Sequence, residues 1–440
     1  MAGEVSAIAS TRRPDFLNCG LHPSHRPLMA PRGGWRLGRS NPSGGVTVIN
    51  KDSNLAARTG AVLVMIRYEI DVGFAIGRLL PVFLESCSRL VGGAEGVHFS
   101  FGQVAGRSCP NLPKGFANIL EFDYANPDAA ALRRLSTYIR SNRIGTIVGL
   151  DLPVNASFLR VARTSGVRTV IAYWGAPMSS TNSGIKLLVK RLEVQYLHRN
   201  RPDQFIFESE AMRRMAVYGR GVAATDTAVV YTGVDALKFR PIGESATTAH
   251  DRFGIPSDRR IVVYMGHLHE RKGVRVLMQA MRHIAQERQR RDIHALFLGN
   301  RDGEQDAFRQ FWEPAAEFTT FGGYHLDVPS LMADCYAGCI PSTGWDSFPM
   351  SSLEMQACGL PVVVSDWQGV PETVQDGETG VVTPTGDPVA LGDAVISLVD
   401  DPLRRARMST AARKRIESAF TVGHQIENLV SVLQRNFDRG

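Results

Sequence analysis

W-D-S-F-P-M-S-S-L-E-M-Q-A-C-G-L-P-V-V-V-S-D, Trp345 to Asp366, is the stretch whose reading decides the fold. An apolar segment, Ala337 to Ser342, precedes it and reads as a strand that runs into a small-residue loop. The loop opens a helix whose first turn carries Pro349, which has no amide proton to lose there. Cys358-Gly359 stops the helix, and the β-branched run Leu360 to Ser365 reads as a buried parallel strand. Strand, loop, helix and strand make one βαβ unit.

The same stretch carries chemistry. A helix start holds partial positive charge and free amides, which suit a diphosphate, while carboxylates accept hydrogen bonds from sugar or ribose hydroxyls. Asp346 stands before the helix and Glu354 in its second turn, with seven residues between them. Phe348, Met350, Ser351 and Ser352 supply the amides around Pro349 at the helix start, so the segment reads as a nucleotide-sugar site. Either acid alone would fit a solvated or helix-capping role; the agreement of many independent signals along the whole string carries the site.

The segment resembles the E-x7-E region of retaining family-4 glycosyltransferases, and the likeness continues through G-V-P-E-T-V-Q-D-G-E-T-G-V-V, Gly369 to Val382. Here the first acid is Asp346, one methylene shorter than the usual Glu. R-I-V-V-Y-M-G-H-L-H-E-R-K-G, Arg260 to Gly273, resembles the family's G-R…K-G element after a strand ending at Gly266. Lys272 falls on the diphosphate-binding lysine and His267 on the usual arginine. Histidine cannot fork onto two oxygens as arginine does, which leaves phosphate neutralisation chiefly to Lys272. A-V-V-Y-T-G-V-D-A-L-K-F-R-P, Ala228 to Pro241, resembles the family's interdomain junction, with Thr232 for the usual Asn. F-T-T-F-G-G-Y, Phe318 to Tyr324, resembles its loop beside the nucleobase.

The resemblance implies an α/β GT-B fold: two Rossmann-like, doubly wound parallel-sheet domains facing a central cleft, with the C-terminal helix crossing back to the first. Residues 1–59 read as a disordered basic extension and 60–241 as an acceptor domain. The nucleotide-sugar domain takes 242–420 and the crossing helix 421–440. The implied reaction is retaining and metal-independent, from a nucleoside-diphosphate-sugar to the hydroxyl of a sugar or lipid-linked sugar acceptor, in bacterial polysaccharide or glycolipid biosynthesis. No cofactor is implied. Lys272, Asp346 and Glu354 are the implied catalytic residues; Gly266, His267, Lys272, Phe348 to Ser352 and Glu354 are the implied donor contacts. Two other readings stay open: a catalytically weakened nucleotide-sugar-binding scaffold, and a non-hydrolysing epimerase on the same fold.

In the amino-terminal half, strand and helix patterns alternate, as for a parallel sheet with helices on both faces. Expected strands include Ala61 to Arg67, Val97 to Phe101, Phe116 to Phe122, Thr146 to Leu150, Thr169 to Tyr173 and Gln204 to Glu208, with Asn126-Pro127 capping a helix to about Asn142. Gly73 and Gly77 let backbone approach a ligand after the first strand, whereas Gly92-Gly93 reads as a helix stop. Relatives of the family place a histidine in this domain against the donor sugar; the matching neighbourhoods offer Asp151 and Trp174, with Tyr173 beside it. Gly73, Asp151 and Trp174 are therefore the first-domain candidates. The helix from Ile185 to His198 carries Lys186, Lys190, Arg191 and Arg199, which read as a solvated face over an apolar stripe or as a face for anionic lipid.

Composition excludes other classes. The chain has 440 residues and net charge +7, of which residues 1–59 contribute +5, so the basic pI is no argument for nucleic acid. Six scattered cysteines without C-x-x-C spacing fit a reducing cytosol. Ile70 to Val91 is broken by Asp71, Arg78, Pro81, Glu85 and Arg89 and cannot span a membrane. The expected location is cytoplasmic, with peripheral contact at the inner face of a membrane. His267, His269 and Glu270 lack the further ligands a metal site needs, and no metal is expected.

Overall fold

The structure, a computed structural model, describes residues 60–71, 74–104, 109–178, 182–197, 200–243 and 249–437. The 1–59 extension, Gly73 and Arg199 lie outside them. In the first sheet, β1 (Ala61–Met65), β2 (Val97–Phe101), β3 (Ile119–Glu121), β4 (Ile144–Leu150), β5 (Thr169–Trp174), β6 (Gln204–Phe207) and β7 (Thr227–Val229) take the order β3-β2-β1-β4-β5-β6-β7. In the second, β8 (Arg260–Met265), β9 (Ile293–Leu298), β10 (Thr319–Gly323), β11 (Cys335–Ile340), β12 (Val362–Ser365) and β13 (Gly380–Thr383) take the order β10-β9-β8-β11-β12-β13. Every pairing is parallel. Two such sheets are the GT-B architecture.

The period of two explains the layering. Along β1, Val62 and Val64 enter a core with the helix Phe74–Val91, while Leu63 and Met65 face the opposite layer with Leu135 and Phe158. Strands covered on both faces must be apolar throughout, and β4 is buried at every position. The strand order reverses between β1 and β4 and again between β8 and β11, which opens a crevice at the carboxyl ends of both sheets.

The last helix, Val422–Phe437, packs on the first domain: Leu429, Val432 and Leu433 share a core with Phe83 and Cys87. Each such side chain contributes roughly 1.5–3 kcal/mol by leaving water. Backbone bonds Val234 N to Phe420 O (2.8 Å) and Val422 N to Val234 O (3.1 Å) tie the helix start to the interdomain junction.

Three local readings need correction. Phe318 to Tyr324 is chiefly a strand: Thr319, Thr320 and Phe321 pair with Ala295, Leu296 and Phe297, and Phe321 stacks on Phe297. The helix Ala129–Ser141 is capped by Asp128, whose carboxylate accepts from the Ala131 amide at 2.6 Å, and not by Asn126-Pro127. The strand expected from Phe116 shortens to Ile119–Glu121, because an edge strand pairs on one side only.

Candidate functional site

Lys272 and Asp346 come from the two loops that flank the β8/β11 reversal, and the fold brings them together. Lys272 Nζ lies 2.7 Å from Asp346 Oδ2, which also accepts from Ser342 Oγ at 2.8 Å. The Asp346 amide donates to Gln368 Oε1 at 3.0 Å. Asp346 is 6% exposed, so its charge is held in place by the lysine and a hydroxyl rather than by water.

Gly273 makes that loop geometry possible. Its φ is +69°, and a Cβ there would lie 1.7 Å from the Pro341 carbonyl oxygen, so only glycine lets the β8 loop close onto the β11 loop. Arg271 reinforces the contact: its carbonyl accepts from the Thr343 and Gly344 amides at 2.9 and 2.7 Å. Its guanidinium sits 4.0 Å over the Trp345 ring and donates to the Trp345 carbonyl at 3.2 Å. Gly266 follows β8, and the His267 carbonyl accepts from Tyr264 Oη at 2.8 Å. His269 Nδ1 accepts from the Arg271 amide at 3.1 Å, so that ring is engaged with backbone. Among the described residues no three His, Cys, Asp or Glu side chains gather as a metal set.

The helix after the loop, Met350–Ala357, is buried for most of its length. Its first turn departs from the picture of uniformly free amides, because Ser352 N donates to the Pro349 carbonyl at 3.0 Å. Ser352 Oγ turns inward to Thr373 Oγ1 at 2.8 Å, and Phe348 packs between the rings of Tyr231 and Phe420. These two residues shape the loop from behind; Ser351 and Met350 stay on its partly exposed side.

Glu354 meets the first domain. Arg78, on the helix Phe74–Val91, forms an ion pair and hydrogen bond with Glu354 Oε1. Burial pushes the Glu354 carboxyl up, and the Arg78 charge opposes that shift. Arg78 also lies over Phe239 and lines, with Gly77, Lys238 and Met350, a cavity of about 770 Å³ between the domains.

On the first-domain side, Asp151 follows β4 with φ +50°, a left-handed conformation that Asp tolerates better than most residues. Its carboxylate accepts from the Gly175 amide at 3.0 Å, and burial pushes it up to about 6 against that bond. Trp174 ends β5 with its indole Nε1 buried and without a hydrogen-bond partner among the described residues. Glu208, just after β6, was not singled out by its sequence neighbourhood. Burial raises it to about 7, opposed by its hydrogen bond from Ser347.

Glu372 lies inside G-V-P-E-T, where nothing local marks its partner. It caps a helix of the other domain, accepting from the amides of Glu210 and Ala211 at 2.9 and 2.7 Å and from Tyr231 Oη at 3.0 Å. For Arg78, Glu208 and Glu372 the partner lies far along the chain, and no local pattern marks such a pair. Arg271 was the legible exception, beside Lys272 and facing an aromatic loop.

Residues 259–401 match the family described as Glycosyl transferases group 1. The D-inositol 3-phosphate glycosyltransferase of Xylanimonas cellulosilytica is 32% identical over 196 residues, 42% of this chain and 46% of that protein. A phosphatidyl-myo-inositol mannosyltransferase of Mycobacterium leprae is 31% identical over 192 residues, 42% of this chain and 50% of that protein. The chain thus spans about half the length of the curated relatives it matches. Among solved structures, Anabaena Alr3699/HepE in complex with UDP superposes with TM-score 0.67 at 17% identity, over 85% of this chain and 100% of that one. A glycosyltransferase from Rickettsia africae superposes with TM-score 0.73 at 13% identity, over 87% and 100%.

Proposed function

We propose, for a chain whose second domain is of the group 1 glycosyltransferase family, that it transfers a sugar from a nucleoside-diphosphate-sugar to an acceptor hydroxyl with retention of configuration and without a metal. The observation that carries this reading is the junction of Lys272 with Asp346 at the strand-order reversal of the second sheet. Negative charge develops on the departing diphosphate, so a fixed cation and fixed amides beside it lower the barrier. Lys272 supplies the cation, and Asp346 orients its ammonium until the phosphate competes for it. Asp346 then accepts from hydroxyls of the transferred sugar, and Glu354 from the ribose once Arg78 yields it. Asp151 and the unpartnered Trp174 indole are the first-domain groups available to the sugar or acceptor. The UDP complex of Anabaena Alr3699/HepE supports a nucleotide in this cleft.

Calorimetry with UDP-, GDP- and ADP-sugars tests the reading: one donor series is expected to bind and to be slowly hydrolysed without acceptor. Binding with no hydrolysis would turn the chain into a nucleotide-sugar scaffold, and no binding at all would remove the donor site.

The expected cellular setting is the cytosolic face of a bacterial membrane, with a sugar or lipid-linked acceptor. The helix Gly184–Leu192 supports this, because its apolar stripe is not packed inward. Ile185 is 82%, Leu188 57%, Val189 55% and Leu192 50% exposed, at the i, i+3, i+4, i+7 spacing of one face. None of this helix's residues is buried, which favours the lipid reading of its face over that of a solvated face over an apolar stripe packed inward. Lys186, Lys190 and Arg191 border the stripe, as on helices that lie on anionic bilayers, although Lys190 also pairs with Glu193. Among the described residues no helix is long and apolar enough to cross a membrane. In flotation assays the chain should bind phosphatidylglycerol vesicles over phosphatidylcholine vesicles. Leu188→Glu with Leu192→Glu should reduce that binding about tenfold while nucleotide affinity stays unchanged. Equal flotation of variant and wild type would dismiss the surface.

A further inference from the structure

We infer that Glu208 is a positioning residue for the diphosphate loop, reaching from the first domain to fix Ser347 between Asp346 and Phe348. The inference rests on the diphosphate reading of that loop and adds a first-domain residue to it.

Glu208 follows β6 and is 7% exposed. Oε2 accepts from Ser347 Oγ at 2.9 Å, and Oε1 accepts from Tyr173 Oη at 3.3 Å. Tyr173 Oη in turn accepts from Gln425 Nε2 at 3.4 Å, and Gln425 Oε1 accepts from the Gly233 amide at 2.9 Å. One buried chain of hydrogen bonds therefore joins the crossing helix, the interdomain junction, β5 and the end of β6 to the loop of the other domain. Buried polar chains of this kind fix geometry because each member has few other partners.

Ser347 is gripped from its other side as well. A Cβ at Gly369 would lie 1.6 Å from the Ser347 carbonyl oxygen and 2.6 Å from Ser209 Oγ. The backbone after Asp346 is thus wedged between Gly369 and Glu208, and its path into Phe348 and Pro349 is set by both domains. Among the described residues Asp151 at the end of β4 bears on Glu208, with Tyr173 on β5, and Arg67 bears on Asp151. A buried acid is a costly choice for domain adhesion alone. Its two oxygens instead receive two hydroxyl donors, one from each domain. A carboxamide keeps both contacts once one of the hydroxyls rotates to accept from its NH2, and an alkyl side chain keeps neither.

The test uses the full chain, calorimetric titration with UDP, GDP and ADP, and steady-state kinetics with whichever sugar donor binds. Glu208→Ala and Ser347→Ala should each raise Kd and donor KM about five- to tenfold with kcat within twofold. The double variant should be no worse than either single one, and Glu208→Gln should stay within twofold of wild type. A Ser347→Ala protein with unchanged Kd and KM overturns the inference, as do losses that simply add in the double variant. A fall in kcat alone, with KM constant, would mark a folding contact and overturn it too. If the wild-type chain binds none of the three nucleotides, the diphosphate reading itself fails and takes this inference with it; nucleotide binding with indifferent variants sinks the inference alone.

Discussion

Lys272→Ala should lower turnover in a purified transferase assay by about 10²- to 10³-fold, the scale seen when one fixed stabiliser of developing charge is removed. The lysine is the cation that the fold places at the second reversal point, and Arg271 spends its guanidinium on Trp345. The substitution also strands Asp346, 6% exposed, with the Ser342 hydroxyl as its remaining side-chain donor. Some loss of stability is therefore expected, and Lys272→Ala combined with Asp346→Asn separates the two effects. The double variant should regain thermal stability and stay inactive. A fully active Lys272→Ala protein would remove the phosphate role, and recovery of activity in the double variant would make the pair merely structural.

Arg78→Ala should lower unfolding stability by about 2–3 kcal/mol, because it leaves the Glu354 carboxylate buried and unpaired between the domains. The figure is discounted below that for fully buried pairs, since the Arg78 side chain keeps 22% of its surface in water. The pH dependence has a definite sign. Burial raises the Glu354 carboxyl, and without Arg78 it is Lys238 that is left to oppose that shift. The folded variant then holds a proton that the unfolded chain has released, so its deficit grows as pH rises above the usual carboxylate range and shrinks below it. Adding Glu354→Gln should restore most of the stability at pH 8. Thermal unfolding at pH 5 and pH 8 reads both outcomes; a deficit independent of pH would mean that Arg78 acts through packing on Phe239 alone.

The pair also bears on function. Glu354 is the acid expected to grip the ribose, yet here it faces Arg78 of the first domain. The E-x7-E spacing marks the position and the carboxylate, because both follow from helix periodicity after a loop. It says nothing about the cation that meets the acid, which comes from a helix far earlier in the chain. The same limit applies to Ser352 and Phe348. Their place at a helix start is a local fact, but whether their side chains face a ligand or a core depends on Thr373, Tyr231 and Phe420. For the helix Gly184–Leu192, the sequence defines an apolar stripe and cannot say that no neighbour covers it.

By itself the sequence determined the strand and helix order, the doubly wound sheets, the glycine stop at Cys358-Gly359, the helix start after Lys272-Gly273 and the loops that would carry Lys272 and Asp346. These follow from the two periodicities of backbone geometry and from the conformations that only glycine and proline favour or forbid. Tertiary structure alone decided that Lys272 closes on Asp346, that Arg78 seals Glu354, and that Glu208 and Glu372 reach into the opposite domain. A buried charge or hydroxyl takes whichever partner the packing delivers within three ångströms or so, and that distance in space has no counterpart in distance along the chain.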